Sequence, residues 1–192
     1  MTRLFFIRHA ESDYSIKDDF YRPLTSSGSF AAKKIPDLFE NTHIDHFYSS
    51  PFVRSVHTIQ YLANQCEKNI TLCPNLQERK VGSWVEDFFT YAQKQWHNFD
   101  YKIENGESLN EVQKRNINEI NVILQNHQNQ NVVIGTHGTS LCTILNHFDA
   151  QFDFEYFQSI AKKMPLFIEL QFNDLSYIAM NELHTDALAN VL

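Results

Sequence analysis

The stretch Leu4-Phe5-Phe6-Ile7-Arg8-His9-Ala10-Glu11-Ser12 decides how this chain is read. Leu4 to Ile7 is a short, unbroken apolar run, the pattern of a strand buried on both faces of a sheet. A cation and a titratable ring follow at once, so Arg8 and His9 are expected at the mouth of that sheet. Neutral imidazole is a competent nucleophile toward phosphorus near neutral pH, and a flanking Arg can hold an anion. Taken alone, the pair reads equally as a polar strand terminus with no chemistry.

Working outward, Val132 to Ile134 repeats the pattern: a buried strand, then Gly135-Thr136-His137-Gly138-Thr139, then a helix from about Thr139 to Phe148. Between them, Thr25 caps a helix over Ser26 to Glu40, and Phe47-Tyr48 forms a short strand. A helix is expected to begin at Ser50-Pro51, because Ser caps well and Pro is tolerated at the first helical position. Ile70 to Cys73 reads as a third strand and Glu86 to Trp96 as helix. Ser108 and Glu111 have the spacing of a capping box ahead of Val112, Ile117, Ile120 and Leu124. Two late strands, Phe167–Phe172 and Tyr177–Met180, are expected to form a hairpin across Asn173-Asp174. The alternation predicts an α/β protein, a three-layer α/β/α sandwich with a mainly parallel central sheet and its sites at the strand C-terminal ends.

The 192 residues are 43% hydrophobic, with five Gly, five Pro and no linker-like stretch, which is the profile of one domain spanning 1–192. Sixteen Lys plus Arg against 23 Asp plus Glu leave a net charge of −7. Broad attraction to nucleic acid or acidic lipid needs a basic surface, so neither is an expected partner. Any anion must be held locally. Cys66, Cys73 and Cys142 make neither a disulfide framework nor a zinc ribbon and are expected to be buried, unreactive thiols. The N-terminal apolar run is far shorter than a signal-peptide core or a membrane span of about 20 residues. A cytoplasmic protein is expected.

Arg54 falls on the first turn of the helix after Ser49-Ser50-Pro51, where its guanidinium and the free N–H groups of the helix start can converge on one phosphate. An Arg in a first turn is otherwise an ordinary surface residue, and a lone loop histidine such as His137 is otherwise structural. Two histidines and two arginines at equivalent strand tips are harder to assign to coincidence. A metal reading of His43, Asp45, His46 and His57 fails for want of partner ligands. The chain has neither a G-x-S-x-G elbow nor a P-loop.

The order of these pieces resembles the histidine phosphatase superfamily, the phosphoglycerate-mutase-like fold, and specifically its short phosphatase branch. The matches are Arg8-His9-Ala10, then Ser49-Ser50-Pro51 with Arg54, Ser55 and Thr58, then Leu76-Gln77-Glu78, and finally His137-Gly138. Pro23-Leu24-Thr25 with Gly28, and Gly106-Glu107-Ser108, are further landmarks, so the resemblance covers nearly the whole chain.

By that resemblance, His9 is the nucleophile that becomes transiently phosphorylated, and Arg8, Arg54 and His137 hold the phosphoryl oxygens, with no cofactor or metal. Glu78 maps onto the proton donor and Ser12 onto a Thr/Ser position in the substrate site. Apart from the resemblance, Arg79 is a candidate to hold a carboxylate on the substrate. The Asn usual six positions after the nucleophile is Ser15 here, whose shorter reach weakens that contact. The long insertion of the mutases is absent from Ser83 to Glu107, a segment instead rich in Trp84, Phe88, Phe89, Tyr91, Trp96, Phe99 and Tyr101. Those aromatics are either core or the roof of a pocket for a partly apolar organic phosphate. The expected activity is hydrolysis of a small phosphomonoester metabolite. Phosphoglycerate-mutase-type transfer and a non-catalytic phospho-ligand module are the rival readings.

Overall fold

The computed structural model describes residues 1–183, so residues 184–192 of the expected 1–192 domain lie outside the described residues. Its centre is a six-stranded mixed sheet in the order β3-β2-β4-β1-β5-β6. The strands are β1 (Thr2–Arg8), β2 (His46–Ser49), β3 (Ile70–Leu72), β4 (Asn131–Thr136), β5 (Leu166–Asn173) and β6 (Ser176–Glu182). The first four in chain order run parallel to their neighbours among themselves, and β5 and β6 are antiparallel. The helices are α1 (Ser26–Lys34), α2 (Val53–Gln65), α3 (Phe88–His97), α4 (Leu109–Asn126), α5 (Gly138–Phe148) and α6 (Phe154–Ser159).

The unbroken apolar runs of β1 and β4 are explained by two cores. Leu4 and Phe6, with Val132 and Ile134, enter a core built with Ile120 and Leu124 of α4 and Leu141, Ile144 and Leu145 of α5. Phe5, Ile7 and Val133 point the other way, against Ile59 and Leu62 of α2 and Ile35 and Phe39. A central parallel strand covered on both faces has no polar side to show.

Three boundaries differ from the sequence expectation, each for a local reason. The helix expected over Ser26 to Glu40 is α1 as far as Lys34 and then a 3-10 turn, Ile35–Phe39, because Pro36 has no N–H to continue the α-helical ladder. The helix expected from Ser50 begins at Val53. Ser50 is still extended, its N–H donating to the Gly135 carbonyl at 3.1 Å, and Phe52 takes the cap position. The hairpin turns at Asp174-Leu175, since Asn173 still pairs with Ser176 and Asp174 takes up the left-handed conformation. The capping box of Ser108 and Glu111 forms as read. Cys73 and Cys142 are buried, and burial pushes the Cys73 thiol up to about 12, whereas Cys66 is only half-buried. Among the described residues no helix is long and apolar enough to cross a membrane.

Candidate active site

Sheet register assembles the site. Arg8 of β1 lies opposite Thr136 of β4, and Ser49 of β2 opposite Gly135, so the residues just past three parallel strands, His9, His137 and Ser50, become neighbours. The His9 and His137 rings are 5.3 Å apart, both buried. The close packing of β4 against β2 and α2 needs Gly135: a Cβ there would lie 2.7 Å from Ser49 Oγ and 2.9 Å from Ser55 Oγ.

Nδ1 of His9 is 2.8 Å from the Ala10 carbonyl oxygen, which can only accept. Nδ1 therefore carries the proton and Nε2 the lone pair. Burial, then the Arg54 charge, lowers the His9 pKa to about 3, so the ring is neutral near pH 7. The backbone beside it is fixed by Thr58, whose hydroxyl accepts from Ala10 N at 3.0 Å and donates to the Arg54 carbonyl at 2.7 Å.

Nε2 of His137 is 2.8 Å from Ser50 Oγ, and Nδ1 is buried without a protein partner. Burial first, then Arg54 and His9, hold His137 well below the usual imidazole range. It is thus neutral here, and an imidazolium at this position requires an anion beside it. Its cage includes Phe52, 5.2 Å away in an edge-on arrangement.

The expected arginines are both brought to this sheet edge. Arg54 is buried on the first turn of α2, with Nη1 paired to the Asp19 carboxylate at 3.2 Å and its guanidinium 4.9 Å over the Phe52 ring. The Nη groups of Arg8 donate to the Ile160, Ala161 and Lys163 carbonyls, leaving Nε buried and unpartnered. Ser12 is also buried with an unpartnered hydroxyl. Buried polar groups in proteins are almost always paired. Arg8 Nε, Ser12 Oγ and His137 Nδ1 are among the exceptions in the described residues, each buried without a partner in the protein. Ser15 does not join them: it is exposed, and its N–H donates to Asp13 Oδ1 at 2.9 Å in a local turn.

Glu78 reaches the N-terminus of α5. Its carboxylate accepts from Thr139 N at 3.0 Å, Ser140 N at 3.1 Å and Arg79 N at 2.7 Å. Burial raises its pKa, but the Arg79 amide and charge and the Thr139 amide outweigh that and hold it below the ordinary carboxylate value. Arg79 is buried between Phe88 and Tyr91, 5.2 and 5.1 Å from their ring centres, and donates to Gln95, with Nε unpartnered.

The aromatic segment does not form one roof. Tyr91 and Trp96 are buried, whereas Trp84, at 83% exposure, Phe88 and Phe89 face solvent, with Lys17 over the Trp84 ring at 6.0 Å. His43 pairs with Asp45 at 3.2 Å and His46 stacks on His127. Among the described residues no three His, Cys, Asp or Glu side chains are grouped to hold a metal ion.

A parallel-sheet edge that presents two buried histidines, two arginines and a carboxylate defines a class. The chain belongs to the histidine phosphatase superfamily (branch 1), whose family model matches residues 4–175. A probable phosphoglycerate mutase GpmB of Serratia proteamaculans is 24% identical over 159 residues, 76% of this chain and 74% of that protein. Its counterpart in Escherichia fergusonii is 25% identical over 154 residues, 73% and 72% of the two chains. A mutant phosphoserine phosphatase of Entamoeba histolytica, solved with phosphoserine, superposes with a TM-score of 0.78 at 18% identity over 100% of both chains. Mycobacterial glucosyl-3-phosphoglycerate phosphatase superposes with a TM-score of 0.75 at 15% identity, covering 94% of this chain and 96% of that one. At these identities the structural likeness establishes the shared fold.

The sequence reading missed Ser50 and Thr58 as working groups, although both stand in the quoted Ser-Ser-Pro segment. It also gave no role to Ser140 or to Arg115, which no motif marks.

Proposed function

We propose that this chain is a metal-independent phosphomonoesterase that works through a phosphohistidine on His9. The observation that carries the proposal is the fixed tautomer of His9: Nδ1–H is tied to Ala10 and a neutral Nε2 is left beside Arg54 and His137. Nε2 attacks phosphorus while the bond from phosphorus to the ester oxygen breaks. Arg54, Arg8 Nε, Ser12 and His137 Nδ1 compensate the charge spread over the equatorial oxygens. The departing oxygen takes a proton from Glu78. Water then attacks phosphorus, Glu78 receives its proton, and the P–N bond breaks to release phosphate and restore His9.

Glu78 is ionised in the geometry seen, which suits the second step. For the first it needs a proton, and a bound phosphate dianion supplies the reason to take one up: like charge beside a carboxylate raises its pKa. The same anion draws a proton toward His137.

The absence of a mutase-type insertion between Ser83 and Glu107 favours water over a second hydroxyl as acceptor. Mutase activity is kept as the second reading because the similar curated proteins carry that name. Arg79 is the group proposed to hold a carboxylate on the substrate. The decisive test is phosphate release from a panel of small phosphomonoesters in the presence of chelator, with wild type and His9→Ala. Turnover that survives chelator and disappears in His9→Ala is expected; turnover that persists in His9→Ala, or stops with chelator, refutes the proposal. Efficient interconversion of 2- and 3-phosphoglycerate with bisphosphoglycerate present would reverse the preference for hydrolysis.

A further inference from the structure

Arg115 lies on α4, outside the constellation around His9, yet every donor it owns is committed. A guanidinium has five N–H donors in a planar fork. Nε and one Nη2 hydrogen go to the Glu107 carboxylate, at 2.8 and 3.0 Å. Nη1 donates to the Asn75 and Gln77 carbonyls, both at 2.8 Å, and Nη2 to the Glu78 carbonyl at 3.2 Å. Glu107 closes the clamp from the other side: its Oε2 accepts from Lys80 N at 2.8 Å, and its own N–H donates to the Lys80 carbonyl at 2.8 Å.

We propose that Arg115, together with Glu107, is a positioning residue pair that fixes the backbone of the Asn75–Lys80 segment and so sets where the Glu78 carboxyl meets the leaving group. The proposal rests on the acid–base role of Glu78 given above. Two features separate it from a general stabilising ion pair. With all five donors used within the protein, Arg115 has none for a substrate and acts only through the segment it holds. Three of its five bonds fall on carbonyls of that one segment, the Glu78 carbonyl among them. The side chain of Glu78 is meanwhile anchored independently, on the N-terminus of α5. Losing the backbone clamp therefore leaves the carboxylate tethered but displaced, and a misplacement of about 1 Å at a reacting group costs on the order of a hundredfold.

The test uses leaving-group chemistry, which mere loss of stability does not move. Wild type, Arg115→Gln, Glu107→Gln and Glu78→Gln are compared in single turnovers, enzyme in excess, so that the phosphorylation step alone is read. The probes are p-nitrophenyl phosphate, whose leaving group departs without a proton, and β-glycerophosphate, whose leaving group needs one. The expected result is a fall of about a hundredfold in the alkyl-to-aryl rate ratio for Glu78→Gln and for Arg115→Gln, the size a positioned general acid supplies. A smaller fall in the same ratio is expected for Glu107→Gln.

An unchanged ratio in a folded Arg115→Gln protein, with the ratio reduced in Glu78→Gln, overturns the positioning role and leaves the acid role of Glu78 standing. An unchanged ratio in Glu78→Gln removes the reading on which the proposal rests. Where Arg115→Gln does not fold, Glu107→Gln decides by the same ratio: a fall supports the clamp, and no change overturns it.

Discussion

His9 Nδ1–H donates to the Ala10 carbonyl at 2.8 Å, so the rest of the ring is committed before any substrate arrives: Nε2 is a lone pair on a neutral imidazole. With burial and Arg54 lowering its pKa to about 3, this histidine is not expected to titrate near 6.5. An imidazole NMR titration of the ligand-free protein should show His9 neutral throughout the range above 6.5 and well below it. A midpoint near 6.5 would contradict the assignment.

The same shift makes a stability prediction. Below 6.5 an unfolded chain protonates His9, while the folded protein refuses the proton down to about 3. The unfolded state binds more protons in that window, so stability rises with pH there and is lost as pH falls. His137 acts in the same direction. Urea midpoints measured from neutral pH downward should fall steadily, with a shallower slope in His9→Gln; an equal slope in that variant would refute the linkage.

Thr58→Val keeps the volume of a buried side chain but removes the acceptor of Ala10 N–H. Leaving that buried donor unpaired should cost about 1–3 kcal/mol in chemical denaturation. Because the lost bond holds the backbone beside His9, kcat should fall as well. An unchanged denaturation midpoint would show that Thr58 is not the anchor described.

Gly135→Ala tests the close approach of β4 to β2 and α2. The added methyl meets Ser49 Oγ at 2.7 Å and Ser55 Oγ at 2.9 Å inside a packed core. Overpacking of this kind costs about 1–3 kcal/mol, and separating the strands should also disturb the bond from Ser50 to His137. A variant as stable and as active as wild type would contradict the geometry.

Glu78 predicts proton uptake. It is held ionised by Arg79 and the N-terminus of α5, so an arriving dianion should bring a proton with it. Sulfate, which does not itself titrate near neutrality, should bind with measurable proton uptake in calorimetry across buffers of different ionisation enthalpy. The uptake should be reduced in Glu78→Gln; identical uptake in both would place the proton elsewhere.

Much of this site was legible in the residues. The apolar runs Leu4–Ile7 and Val132–Ile134 announce strands covered on both faces, and His9 and His137 follow them at once, so their meeting needs only that the strands be parallel neighbours. The register that sets Arg8 beside Thr136 is a tertiary fact that no local pattern encodes. Ser50 reads as a helix cap by propensity, but the sheet keeps it extended and its hydroxyl turns to His137. Ser15 stood at a position where a longer side chain was expected, and its own local turn with Asp13 takes it out of the site. Arg115 looks like any polar position on an amphipathic helix, because its partners are backbone carbonyls and carbonyls leave no trace in a sequence.

The covalent bond proposed between phosphorus and His9 can be trapped directly. Rapid mixing with p-nitrophenyl phosphate, an alkaline quench that preserves phosphohistidine, and peptide mass spectrometry should find one phosphoryl group on the peptide carrying His9, at Nε2, in wild type and none in His9→Ala. A wild-type protein that releases phosphate while no phosphorylated His9 peptide can be trapped, or that carries the phosphoryl group on another residue, would contradict the account.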